Sequence, residues 1–208
     1  MDADPVEIRV LGCLIEKQRT TPDVYPLSVN ALRLACNQTT NRDPVVSYDE
    51  PTIRAALERL GRKRWARLAS GAGSRAAKYR HLLDEALSLD GADLSLLAVL
   101  MLRGPQTPGE LKQRTDRMHR FDTLAEVERT LDALVDRELV TRLARRPGQK
   151  EERFAQLLGE ADVVARAAAP AEPVFERRPD IEQRVESLEA EVARLSAALD
   201  ELQSNSGR

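Results

Sequence analysis

Aromatic residues make up only 3% of the 208 residues, with one Trp, three Tyr and three Phe, and there are just two His and two Cys. With so few rings, the core is left to Leu, Val, Ala and Ile. Cys13 and Cys36 both sit in apolar segments, so they read as buried thiols of a reducing compartment and not as a disulfide framework. His81 and His119 stand apart, and neither has a second His or Cys at ligand spacing, so no metal is expected. No apolar run approaches the roughly eighteen residues of a membrane helix, and no charged-then-apolar leader opens the chain. The expectations are no membrane association and a cytoplasmic location. Nucleophile elbows and phosphate loops are also lacking. The "GAGS" at residues 71–74 bends a hairpin and does not join a strand to a helix, so it fails the context a phosphate cradle needs. No catalytic residue and no cofactor are expected, and the chain does not read as an enzyme.

A large charge excess is missing too, since the formal net charge is −2. That average hides a gradient. Residues 1–83 are basic at +5, residues 84–158 stand at −2 and residues 159–208 at −5. Halves that differ so much in sign point to different partners.

What is present is a repeated order of elements. Val6 to Arg19 reads as a helix apolar around much of its circumference. A second helix follows Pro26 with Ser28 as N-cap, packing Leu32, Ala35 and Cys36 inward. A third begins at "DEP" and carries an Ile53, Ala56, Leu57, Leu60 stripe. "WARLASGAGSRAAKYRHLL" reads as a hairpin with Trp65 and Tyr79 in the core. The order then recurs. Leu94 to Arg103 is an apolar helix stopped by Gly104-Pro105. "TPGE" and "TLAE" are capping boxes on Thr107/Glu110 and Thr123/Glu126. The latter opens a helix with a Val127, Leu131, Leu134 stripe, and "LVTRLARRPGQKEERFAQLL" is a second hairpin. Leu68 to Tyr79 spans the same interval as Leu143 to Phe154.

The fold class expected is mainly α with small β-hairpins (α+β): two tandem winged helix-turn-helix domains, residues 1–85 and 86–158, and a C-terminal coiled-coil helix. An Ala/Pro/Glu-rich linker spans 159–180. Within residues 181–203, Val185, Leu188, Val192, Leu195, Leu199 and Leu202 alternate four and three apart, the seam of a dimeric coiled coil. The other reading of that seam is an amphipathic helix folded back on a domain.

Four stretches, "EKQRTTPDVYPLSVNALRLACNQTTNRDPV", "SGAGSRAAKYRH", "LRGPQTPGELKQRTDRMHRF" and "RLARRPGQKEERF", resemble the YceH-like family of bacterial proteins over roughly residues 6–158. The resemblance implies a tandem winged-helix fold and a bacterial origin. It implies no catalytic residue.

In a winged helix the third helix enters the major groove and the wing reaches the backbone. Between Arg54 and Arg80 there are nine Lys/Arg and one acid, Glu58. Arg54, Arg59, Arg62, Lys63, Arg67, Arg75 and Lys78 are therefore the expected phosphate contacts. The polar run Asn37–Arg42 reads first as a helix cap and ordered loop. Its second reading is a recognition edge contacting nucleic acid through Asn41 and Arg42. The corresponding helix of the second half carries Glu126, Glu128, Asp132 and Asp136, which the groove would repel, so a protein partner is expected there. The leading expectation is a dimeric DNA-binding regulator, with RNA also open. The alternative is a non-catalytic scaffold for protein–protein contacts.

Overall fold

The computed structural model describes residues 3–69, 76–144 and 151–159, together with Arg194. The linker, the coiled-coil seam (Val185, Leu188, Val192, Leu195, Leu199, Leu202) and both hairpin tips, with Arg75, lie outside these residues. The described part is mixed α/β, with seven α-helices and two small antiparallel sheets.

Helix α1 (Pro5–Thr20) starts at a reciprocal cap: Glu7 N–H donates to the Asp4 carboxylate at 2.8 Å, and Asp4 N–H donates to Glu7 at 2.9 Å. Pro5 at the first helical position gives up an N–H that has no partner there anyway. From Glu7 to Ile15 every residue of α1 is buried, as its all-round apolar character requires. Helix α2 (Val29–Cys36) is capped by Ser28, and α3 (Glu50–Arg62) by Asp49. The α3 stripe Ile53, Ala56, Leu57, Leu60 is buried. Strands β2 (Ala66–Leu68) and β3 (Lys78–His81) form the first hairpin. Strand β1 (Leu27–Ser28) pairs with β3 on the other side, Leu27 opposite Tyr79 and Ser28 opposite Lys78. The sheet order is thus β1-β3-β2.

A five-residue helix, α4 (Leu83–Leu87), connects to α5 (Gly91–Arg103), so the expected boundary at residue 85 falls inside α4. Helix α5 begins three residues before the expected Leu94, because Asp90 caps it by accepting from Ala92 and Asp93 N–H. Residues Leu94–Leu102 are all buried. Gly104 ends the helix at φ 70, where a side chain would be strained. Helix α6 (Pro108–Thr115) has the expected Thr107/Glu110 capping box. Helix α7 (Leu124–Asp136) has only half of its own: Thr123 accepts from Glu126 N–H, but the Glu126 carboxylate accepts from Asp122 N–H instead. Strands β4 (Val140–Leu143) and β5 (Arg153–Gln156) make the second hairpin.

The two halves match in details beyond element order. Residue Gln106, just before the α6 cap, bridges to Phe154 through reciprocal backbone bonds, as β1 bridges to β3 just before the α2 cap. Helices α3 and α7 end alike. Trp65 N–H bonds Leu60 C=O and Leu139 N–H bonds Leu134 C=O, across a positive-φ residue, Arg64 or Glu138. That is a Schellman-type stop with a non-glycine in the left-handed position. The hairpins differ in register. Leu68 faces Tyr79, but Leu143 faces Arg153 and Phe154 faces Arg142. Equal sequence intervals therefore conceal a one-residue offset in pairing.

The halves share one core. Helix α1 lies against α5 so closely that a Cβ on Gly12 would stand 3.0 Å from Leu102 Cγ and from Met101 Cβ. Glycine inside a helix costs about 1 kcal/mol against alanine, and here it lets two backbones approach.

Candidate nucleic-acid interface

The nine basic residues between Arg54 and Arg80 separate into distinct sets. Arg59 Nη2 lies 2.6 Å from Asp4 and its Nε 3.7 Å from Glu7, while Lys63 Nζ lies 2.7 Å from Glu7. Both side chains reach back to the acids that start α1. Glu7 is 1% exposed, and a buried carboxylate requires such partners. Arg59 and Lys63 thus tie α3 to α1. Arg54 is on the outer side of α3, paired with Glu50 one turn earlier at 3.3 Å, a contact of little strength at the surface. Arg62 is exposed on the same outer side, with Glu58 between the two.

The hairpin carries the rest. Strand alternation puts Arg67, Lys78 and Arg80 on one face of the sheet, because Arg67 pairs with Arg80 and Lys78 is two residues before it. The opposite face holds Ala66, Leu68, Tyr79 and His81. Arg80 bonds Glu85. Arg62, Arg64, Arg67 and Lys78 are exposed and in no ion pair among the described residues. They follow one another from the end of α3 onto the outer face of β2 and β3.

Arg42 is not on a recognition edge. Its side chain has 0% exposure, with Nη1 at 3.0 Å and Nη2 at 2.6 Å from the two oxygens of Glu16. Burial alone would lower its pKa, but the Glu16 carboxylate outweighs burial and holds it above the usual guanidinium value. Its Nε donates to Ala35 C=O, and the buried Arg9 donates to Cys36 C=O. Two guanidinium groups therefore satisfy the last carbonyls of α2, where cations also suit the helix dipole. Asn37 closes the loop, its amide donating to Tyr48 C=O and accepting from Tyr48 N–H, both at 2.8 Å. The first reading of this segment, a helix cap and an ordered loop, describes these bonds. Asn41 is exposed, but it faces a cleft between α1, α5 and α6 and accepts from Arg103.

The equivalent surface of the second half is different. Glu128, Asp132 and Asp136 are exposed along α7, and Arg142 of β4 bonds Asp132 and Glu152. Its guanidinium carbon also stands 5.5 Å from the centre of the Phe154 ring. Arg145, Arg146 and Lys150 lie outside the described residues.

Other ionisable groups are structural. His81 is 1% exposed; its Nδ1 accepts from Leu83 N–H, and its Nε2 stands 2.6 Å from Gln18. Burial depresses its pKa to about 4, the nearby Asp84 only partly opposing it. Its backbone N–H donates to the Tyr25 hydroxyl, whose pKa burial raises to about 12. Cys13 and Cys36 are both free and wholly buried. Among the described residues there is no cluster of three metal-ligating side chains, and no helix is long and apolar enough to cross a membrane.

The described residues form a mixed α/β fold in which a helix–helix–helix–hairpin order occurs twice. The family model described as "Protein of unknown function, DUF480" matches residues 3–149. The chain is 49% identical over 187 residues to a UPF0502 protein of Opitutus terrae, covering 88% of this chain and 81% of that one. It is 47% identical to a UPF0502 protein of Serratia proteamaculans, covering 94% and 93%. With the UPF0502 protein YceH of Salmonella paratyphi C the identity is 44%, over 97% and 96%. The chain belongs to this DUF480/UPF0502 family, as the sequence resemblance implied.

Proposed function

We propose that the chain is a non-catalytic, regulator-type protein whose first half is a winged-helix domain that binds duplex DNA. Helix α3 is the recognition element and the β2–β3 hairpin the wing, both offered to phosphates. The observation that carries this reading is the run of exposed cations Arg62, Arg64, Arg67 and Lys78 leading from the end of α3 onto one sheet face. Arg54 extends the run along α3, and Arg75, which lies outside the described residues, is assigned to the wing in this proposal. Arg59 and Lys63 act indirectly, by fixing α3 on α1. The matching stops of α3 and α7 and the matching bridges before α2 and α6 support a second winged-helix unit, as does the repeated element order. In this proposal the protein is cytoplasmic and dimerises through its C-terminal heptads.

The test is a salt titration of binding to random-sequence duplex DNA by fluorescence anisotropy. Wild type should weaken steeply with salt. Arg62→Glu/Arg67→Glu should bind far more weakly, and Arg62→Gln/Arg67→Gln should reduce the log–log slope by about two, one unit per lost phosphate contact. A wild type that shows no salt-dependent binding at low ionic strength overturns the proposal.

The second reading, a scaffold for protein partners, draws on the exposed acids Glu128, Asp132 and Asp136 of α7. A protein partner retained by wild type and released by Asp132→Lys/Asp136→Lys, without any DNA binding, would favour it.

A further inference from the structure

The cleft that Asn41 faces is concave and polar, with a volume of about 580 Å³. That is the range of small-molecule sites. It opens between the last turn of α1, the loop after α2, and the C-terminal ends of α5 and α6. The two halves of the chain both contribute to its walls. Four cations line it, Lys17, Arg103, Arg114 and Arg117, against one acid, Glu16. That acid is already taken up, since Arg42 binds both of its oxygens and Lys17 Nζ stands 3.6 Å from one of them. Arg114 has a surface partner in Glu110 at 3.4 Å. Arg103 and Arg117 are in no ion pair among the described residues. Burial, and then the nearby positive charge of Arg114, holds the Arg103 guanidinium below its usual pKa. Like charges gathered in a concavity are mutually repelled until an anion enters.

The remaining lining adds donors and an apolar wall. Thr40 and Gln113 supply a hydroxyl and an amide, while Val99, Leu102 and Met118 give a greasy side; the Thr20 hydroxyl already donates to Glu16 C=O. Guanidinium groups match phosphate oxygens in planar, two-point fashion.

We propose that this cleft binds a small organic phosphate carrying at least two negative charges, with Arg103 and Arg117 on the anionic group and Val99, Leu102 and Met118 against its apolar part. The site is separate from the α3 and hairpin surface, and it stands whether or not that surface binds DNA.

Titration calorimetry on the full chain tests it, with pyrophosphate as the bare anion and ADP as the anion carrying an aromatic base whose faces can lie on the apolar wall. Wild type should bind ADP saturably with sub-millimolar Kd, and pyrophosphate more weakly. Arg117→Gln, exposed and in no ion pair among the described residues, should weaken ADP at least about tenfold, the loss of one charge-assisted bond of roughly 1.4 kcal/mol or more. Arg103→Gln should weaken it similarly, and a thermal melt of that variant checks that the fold persists. Arg62→Glu/Arg67→Glu should bind ADP as wild type does. No binding by wild type up to about 10 mM, a Kd corresponding to roughly −2.7 kcal/mol, overturns the proposal. So does ADP affinity unchanged in Arg117→Gln, or lost only in the Arg62/Arg67 variant. If Arg117→Gln instead loses duplex DNA while wild type ignores both small anions, the cleft is a backbone contact and not a small-molecule site.

Discussion

Arg42 and Glu16 form a two-point ion pair, at 3.0 and 2.6 Å, that fastens the α2–α3 loop to α1. Removing the guanidinium leaves a carboxylate with only 16% side-chain exposure and frees the Ala35 carbonyl near the end of α2. Arg42→Ala should therefore destabilise the fold by about 3 kcal/mol, as expected for a broken pair largely withdrawn from water. Asn41, its exposed neighbour at φ 60, should tolerate glycine within about 0.5 kcal/mol. Urea melts of the two variants check the contrast. Equal stability would mean that the remaining bonds of the loop, from Asn37 to Tyr48, Arg9 to Pro44 and Asp43 to Leu102, suffice to hold it.

Glu138 ends α7 at φ 54 and is exposed. An L-residue there carries a left-handed penalty of about 1 kcal/mol that glycine avoids. Glu138→Gly should raise stability by about 0.5–1 kcal/mol, visible as a higher thermal midpoint. Its counterpart Arg64 has the same backbone, but its charge belongs to the proposed DNA surface, so Glu138 is the cleaner probe.

His81 gives stability a pH dependence of predictable sign. Its folded pKa of about 4 lies below the ordinary 6.5, so the unfolded chain takes up the proton first. Stability is full above about pH 6.5 and falls as pH drops toward 4. Between pH 7 and pH 5, above most carboxylate titrations, the loss should be about 2 kcal/mol. Denaturant midpoints for wild type and His81→Gln would show it, with the variant flatter over that interval. A wild type equally stable at both pH values would mean that His81 is protonated inside the fold, on Asp84 3.6 Å away.

The readable parts of the sequence were local. Ser28 and Thr107 announce helix starts because a cap and the N–H it accepts from are three residues apart. Gly104 announces a stop, and the stripe from Ile53 to Leu60 needs only helical spacing. Strand β1 is two residues long, too short for alternation to show. The stops at Arg64 and Glu138 carry no glycine to mark them. Charge was the least legible feature. The sequence makes Arg42, Arg59 and Lys63 look like parts of one basic surface, yet their acids lie 26 to 56 residues away. Only folding brings Glu7 and Glu16 to them. The cleft was hidden for the same reason, since its cations come from α1, α5, α6 and the turn after α6, whose spacing along the chain says nothing of their convergence.

Helices α1 and α5 hold corresponding places in the two halves, and they pack on each other at Gly12. First helix against first helix is the kind of contact that a two-fold dimer of single repeats would make with itself. Written into one polypeptide, that contact no longer depends on protein concentration. The halves meet as soon as the chain folds, and they do not come apart on dilution. Their exteriors are then free to diverge, one basic and the other acidic, as identical subunits could not.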